Sequence, residues 1–333
     1  MTNRRFEVDD PPAPDHSLAA ADANVHHAWD NSIEPVLTVQ PGDVVEFECR
    51  DAYDRQLSPD ATVEDLLAVD TEGHPLTGPI AVEGATPGDV LQVDLLAFEH
   101  EGWGVSAVPP GEREGGLLPE DFRDPHLRVW DLDETTEGTR VAAFADDDAP
   151  DVAVPLHPFP GNLGVAPAEA GAHDTMPPRS VGGNVDVKHL TAGSTLYLPV
   201  ENAGGLFSVG DCHAAQGDGE VCITGIEAPM TVTARFDVVT DRSVTGPEFE
   251  TVGPFTPSGR DERMYATTGI APDLMDATKA AVRRMIAHLH DHRGFSREDA
   301  YVLASAAVDL KISEVVDEPN WTVTAYLPES ILR

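Results

Sequence analysis

The chain has 333 residues, with 59 Asp and Glu against 21 Lys and Arg, a formal net charge of −38, and 41% hydrophobic residues. That apolar content supports a folded core of two or three structural units and excludes a self-repelling disordered chain. The acid excess repels phosphate backbones and anionic lipids, so neither nucleic acid nor a membrane surface is an expected partner.

Residues 1–20 lack the apolar core of a signal peptide, and no stretch approaches the roughly 20 apolar residues of a bilayer span. A cytoplasmic protein is expected. Val36–Val39 leads into Gln40-Pro41-Gly42-Asp43, a turn signal, and Val44–Glu48 then alternates apolar and polar as a half-buried strand does. The pattern recurs as Ile80–Val82, a turn at Thr86-Pro87-Gly88-Asp89, and a strand over Val90–Leu95. Val105–Pro150 is rich in turns and acid, with short strands predicted at Leu127–Trp130 and Arg140–Phe144 and an acidic run at Asp146-Asp147-Asp148. Strand-like runs return at Leu196–Val200, Val221–Ile226 and Thr231–Val239. The last quarter changes character. Leu274, Val282, Met285, Ile286 and Leu289 have helical spacing within Asp273–Arg293, and Gly294 is a stop signal. Ser296 is positioned to cap a second helix over Ala300–Leu310, and Lys311–Asp317 and Trp321–Leu327 have the pattern of closing strands.

These elements predict a mainly β protein, a sandwich or barrel core built from Pro-Gly-Asp-turned strands with a smaller C-terminal α+β part. The expected organisation is an N-terminal β part over 1–150, a second β part over 151–240 and the α+β part over 241–333.

Only Lys188, Lys279 and Lys311 among the basic residues are lysine, and the carboxylates are spread along the chain. This is the composition of a salt-in halophile's protein, kept soluble by hydrated carboxylates while concentrated salt screens their repulsion. Cys49, Cys212 and Cys222 are too few and scattered for a disulfide framework or a thiolate zinc site, and Cys212 is expected to be a small buried residue.

The densest chemistry lies between Gly182 and Glu227. Gly182-Gly183-Asn184-Val185-Asp186 sets an amide and a carboxylate beside two glycines, and Gly210-Asp211-Cys212-His213-Ala214-Ala215-Gln216-Gly217-Asp218-Gly219-Glu220 follows. Should Asp211 and His213 share a strand, both side chains face one way, as half of a zinc site or as an oriented general base. The spacing is equally compatible with a satisfied turn network. His26 and His27, ahead of Trp29-Asp30-Asn31, could approach from another element, and Glu83 and Glu227 are carboxylates at strand ends. His74 and His157 each precede proline and so lie in extended or turn segments. His288 and His292 share a helix face at i, i+4, but no Glu follows His288 as a metalloprotease helix requires. No Gly-X-Ser-X-Gly elbow and no phosphate-cradling loop is present.

The chain resembles the acetamidase/formamidase family of amide hydrolases. The resemblance is carried by His74-Pro75-Leu76-Thr77-Gly78-Pro79 through Glu83-Gly84-Ala85 with Pro87-Gly88-Asp89, by His157-Pro158-Phe159-Pro160-Gly161-Asn162-Leu163-Gly164, and by Gly182–Asp186. It continues through Leu198-Pro199-Val200, the Gly210–Glu220 string, Glu227, and Ala300–Ser305 with Asp309-Leu310. It runs from about Trp29 to Leu327. Cys212 and Asn162 depart from the common pattern, and neither removes a charged group.

The resemblance implies a mainly β fold and hydrolysis of short aliphatic amides to carboxylate and ammonia in a homo-oligomer. The expected mechanism is a metal-activated water, with a divalent ion on Asp211 and His213 helped by Asp30, His27 or Glu227. Zinc is preferred slightly over calcium, which carboxylate-rich sites also suit. Glu83 or Glu220 is expected to shuttle the proton to the leaving nitrogen, and Asn184 and Gln216 to bind the amide. A metal-free, all-carboxylate mechanism stays open. So do a larger or cyclic amide substrate and, further off, a non-catalytic β protein.

Overall fold

The structure, a computed structural model, describes residues 4–109, 116–146, 149–251, 263–314 and 319–332. Asp147 and Asp148 of the acidic run, and the last residues of the expected Lys311–Asp317 strand, lie outside these.

Both Pro-Gly-Asp segments form the same turn. Asp43 N–H donates to Gln40 O (3.0 Å) and its carboxylate accepts from Gln40 N–H (2.8 Å), with Gly42 at φ +94°. Asp89 and Thr86 repeat this at 3.0 and 2.9 Å around Gly88, φ +103°. Pro fixes the first corner and Gly takes the second at no steric cost.

The turns launch Val44–Cys49 and Val90–His100, which join Thr195–Pro199 and Met230–Val239 in one seven-stranded sheet. A second seven-stranded sheet holds Leu76–Val82, Phe159–Val165, Gly182–Asn184 and Phe207–His213. The two pack face to face through Phe47 and Phe236 of the first against Phe207 of the second, with ring centroids 5.0–6.0 Å apart. A four-stranded sheet runs Val154–Pro155, Thr139–Phe144, His126–Thr136, Trp103–Val108. The fold is mainly β, as expected from the sequence. The three cysteines are buried and unpaired.

The C-terminal part packs helices Leu274–Arg293 and Arg297–Ala307 with a three-stranded antiparallel sheet of Met264–Ala271, Trp321–Pro328 and Asp309–Glu314. Ser296 accepts the expected N-cap hydrogen bond, Asp273 caps the first helix in the same way, and Gly294 closes that helix at φ +80°. The second helix ends at Ala307, three residues before the predicted Leu310, because Asp309 and Leu310 pair with the closing strand.

One predicted strand is absent. Val221–Ile226 is a reversal rather than a strand, with Ile223 at φ +77° and Val221 O accepting from Leu117 N–H. Val221, Cys222 and Ile226 are buried one by one in the reversal, while Ile223 is half-buried. Among the described helices, none is long and apolar enough to cross a membrane.

Candidate active site

Asp211 and His213 end the Phe207–His213 strand, which is buried throughout. The strand is not regular there. Asp211 takes φ +51°, and the ladder to Phe159–Val165 pairs Pro160 with Cys212 and Asn162 with Gly210 but skips Gly161 and Asp211. A buried carboxylate on left-handed backbone is held by its surroundings, a frequent mark of a functional position. Gly161 supplies the room. A Cβ there would lie 2.5 Å from Asp186 Oδ1 and 3.0 Å from Asp211 Oδ2. A Gly161→Ala chain must move both carboxylates and the Asp211 carbonyl, 2.9 Å from the added Cβ, and should lose thermal stability as well as about a hundredfold or more in turnover. Retained far-UV dichroism with full activity would contradict this.

Glu227 joins from a separate segment. Its backbone bridges to Val105 and to His213, which sets its carboxylate against the imidazole. His213 Nε2 is 3.1 Å from Glu227 Oε2 and 3.6 Å from Asp211 Oδ1. Gln216 orients the ring from the other side. Gln216 Nε2 donates to Asp186 O (3.0 Å), which turns its Oε1 to Nδ1 of His213 at 2.7 Å. Nδ1 therefore carries the hydrogen and Nε2 faces the carboxylates, the arrangement that a second partner imposes on a ligating histidine.

His74, just ahead of the Leu76–Val82 strand, reaches Asp211 Oδ2 with Nδ1 at 3.1 Å, and its N–H donates to Thr175 Oγ1. Asn162 Nδ2 donates to Thr175 O at 2.9 Å beside that ring. Asp186 follows the Gly182–Asn184 strand, its N–H on Gly161 O, and its Oδ2 accepts from Asn184 Nδ2 at 2.9 Å. Glu220, in the Gly217–Glu220 turn, lies 3.9 Å from His213 Nδ1 and hydrogen-bonds Asp186. The C-terminal part holds that turn: Gly217 N–H donates to Ser305 O, Asp218 N–H to Asp309, and Lys188 pairs with Asp309 and, at 3.6 Å, Asp218.

Burial and mutual charge split these groups. Burial opposes charge on Asp211, but His74 and His213 outweigh it and hold Asp211 well below the ordinary carboxylate range. Burial likewise opposes charge on the two histidines, yet Asp211 and Glu227 hold His74 at about 9 and push His213 well up. Burial raises Glu227 to about 7 and Asp186 to about 6, and with the Asp186 charge raises Glu220 well above its ordinary value. The cluster thus mixes groups pushed towards their charged form, Asp211, His74 and His213, with carboxyls pushed towards neutrality, Glu220, Glu227 and Asp186.

Asp211, His213 and Glu227 each offer one ligand atom within 4.8 Å of the others, and so do Asp186, His213 and Glu220. Asp211 Oδ1 and Glu227 Oε2 are buried without a well-aligned donor, as are Asp186 Oδ1 and Asn184 Oδ1. Buried carboxylate oxygens left unsatisfied beside an imidazole nitrogen fit a divalent cation. The cluster opens into a cavity of about 470 Å³ lined also by Tyr53, Leu66, Leu67, Met176 and Ile223.

Of the residues singled out in sequence, the structure gathers Asp211, His213, Glu220, Glu227, Asn184 and Gln216 here. It does not bring Glu83, His27 or Asp30. Glu83 is exposed at the far end of its strand and binds Gln40 Nε2. His27 pairs with Asp54 at 3.2 Å, and Asp30 accepts from Ser32 N–H at 2.8 Å, closing a turn. The expected metal roles of His27 and Asp30, and the proton-shuttle role of Glu83, have no support in this geometry. His74, Asp186 and Tyr53 were missed as site members. His74 and Asp186 lie in the segments that carry the family resemblance, but no local spacing ties either to His213. His288 stacks on Tyr265 at 3.5 Å, away from the cluster.

A family model described as the acetamidase/formamidase family matches residues 13–173 and 168–333. The chain is 29% identical to a formamidase of Methylophilus methylotrophus, over 94% of this chain and 90% of that one. It is 31% identical to an acetamidase of Mycolicibacterium smegmatis, over 87% of each. Among solved structures it is similar to a gamma lactamase from Delftia acidovorans, with TM-score 0.84, 27% identity, and coverage of 95% of this chain and 93% of that one. An acetamidase of Bacillus halodurans gives TM-score 0.61 at 31% identity, covering 94% and 97%.

Proposed function

Because the chain belongs to the acetamidase/formamidase family, we propose that it hydrolyses carboxamides to carboxylate and ammonia with a divalent ion held by Asp211, His213 and Glu227. The observation that carries this reading is the convergence of those three, two with unsatisfied buried oxygens, on the floor of an open cavity. A bound divalent ion supplies Lewis acidity for the amide carbonyl and for water. One imidazole and two carboxylates suit zinc slightly better than calcium.

The chain's own groups do the rest. Asn184 Oδ1, unsatisfied beside the cavity, accepts from the substrate's amide N–H and orients it. Water adds through oxygen to the carbonyl carbon, and its proton passes to Asp186, which burial has made basic enough to take it near neutral pH. Glu220, held neutral, gives its proton to the nitrogen as the C–N bond breaks, and the Asp186–Glu220 pair exchanges protons to reset. Gln216 keeps Nε2 of His213 aimed at the carboxylates throughout.

A setting is proposed as well: from a chain of charge −38, a cytoplasm rich in salt and no nucleic-acid or membrane partner, and from the family resemblance, a homo-oligomer. The test is ammonia release from formamide and acetamide in molar KCl, with and without a strong chelator. Activity lost on chelation, restored by one added ion, and falling as KCl is diluted is the expected result. Chelator-resistant activity would leave amide hydrolysis standing and transfer the chemistry to the carboxylates alone.

A further inference from the structure

The cavity over the cluster is larger than formamide or acetamide requires. Water takes about 30 Å³ in the liquid, so acetamide, with four heavy atoms, fills on the order of 100 Å³. The cavity measures about 470 Å³, within the roughly 300–1,000 Å³ of sites for much larger ligands. The surplus wall is apolar: Leu66, Leu67, Val69, Met176 and Ile223 share the lining with the polar cluster.

Two of those side chains are conspicuous. Leu67 is 55% exposed and Met176 42%, on the surface of a strongly acidic chain. Leu67 is not there by looseness. Its helix, Val63–Ala68, starts with a Thr62–Asp65 capping box, and Leu66 anchors it in a cluster with Leu57, Val105, Ala107 and Leu127. With Leu66 directed into the protein, Leu67 is held at the cavity. Among the described residues the lining includes no lysine or arginine, and its two histidines are engaged by Asp211 and Glu227, so a charged carboxylate at the end of an acyl chain beside Leu67 and Met176 would meet no free cation.

We propose that this apolar side of the cavity is an acyl-binding vestibule, and that the substrate class is uncharged carboxamides whose acyl group carries an apolar chain or ring. This rests on the amide-hydrolase reading and narrows it. The amide sits over Asp211, His213 and Glu227, and the acyl carbons lie along Leu67, Met176 and Ile223. Each methylene buried is worth about fourfold in kcat/KM, the equivalent of ~0.8 kcal/mol. Since the vestibule is open on one side, a gain of at least about tenfold from acetamide to hexanamide is the expected size.

The experiment measures kcat/KM for acetamide, butanamide, hexanamide, phenylacetamide and the anion succinamate, on the full chain in molar KCl. It is repeated on Leu67→Ser and Met176→Ser, each checked for an unchanged thermal midpoint. Values rising with apolar length, lowest for succinamate, and a hexanamide-to-acetamide ratio that collapses towards one in both variants would establish the vestibule. Values flat or falling with length, while acetamide is turned over, would overturn it and leave amide hydrolysis intact. Succinamate turned over as well as hexanamide would also overturn it. No turnover of any amide would refute the underlying reading and the vestibule with it.

Discussion

A His213→Ala chain should lose amide turnover by at least about a thousandfold and, at the same time, its divalent ion. His213 is the one group common to both candidate ligand sets, so no rearrangement of the remaining carboxylates restores a nitrogen donor. Its removal also withdraws the imidazole nitrogen that faces Asp211 and Glu227 at 3.6 and 3.1 Å, and the buried carboxylates must then take up protons or water. Gln216→Leu is the graded comparison. It leaves the imidazole in place but removes the bond that fixes Nδ1, and should cost about ten- to a hundredfold in activity or ion affinity. Ammonia release and elemental analysis of the purified protein check both. A His213→Ala chain that is active and free of metal would sink the mechanism.

The largest stability effect is expected at Asp299, far from the cluster. Asp299 is buried at 3% exposure near the start of the Arg297–Ala307 helix. Arg128 grips it in a fork, with Nη2 at 2.8 Å from Oδ2 and Nε on Oδ1, and His126 Nε2 stands 2.8 Å from Oδ1. Those bonds tie the helix to the His126–Thr136 strand. Asp299→Asn leaves the half-buried Arg128 with only the exposed carboxylate of Asp146 at 3.1 Å, and should cost about 3 kcal/mol.

The pH dependence has a definite sign. Burial alone would raise Asp299, but His126 and Arg128 outweigh it and hold the carboxyl well below the ordinary range. A group depressed in the folded state stabilises fully above its unfolded value of about 3.9 and loses that contribution as pH falls below it. The parent should therefore lose stability steeply below about pH 4, and Asp299→Asn less steeply, in chemical denaturation at constant KCl. Parallel curves for the two would show that the fork contributes nothing.

Local signals in the sequence were good guides where the cause was local. The Pro-Gly-Asp turns formed because Pro, Gly and a carboxylate reaching its own backbone specify a turn within four residues. Ser296 began its helix and Gly294 ended the one before it as expected, since a cap involves only the adjoining turn. Val221–Ile226 misled because burial can be satisfied in a reversal as well as in a strand, and only Ile223's backbone distinguishes them. The short Val63–Ala68 helix gave no periodic signal, having fewer than two turns.

The candidate site divides along the same line. By itself, the sequence determined the amide-hydrolase family and a segment dense with Asp211, His213, Gln216 and Glu220, all within one strand and its following turn. Only the tertiary structure decided that Glu227, His74 and Asp186 complete the cluster, while Glu83, His27 and Asp30 go elsewhere. It also decided that the cluster opens into a cavity with an apolar side. Spacing along a chain tells which side chains share a face over a few residues. Which faces meet is settled by strand register and sheet packing, where a slip of one residue would turn Asp211 and His213 to the other side of the sheet.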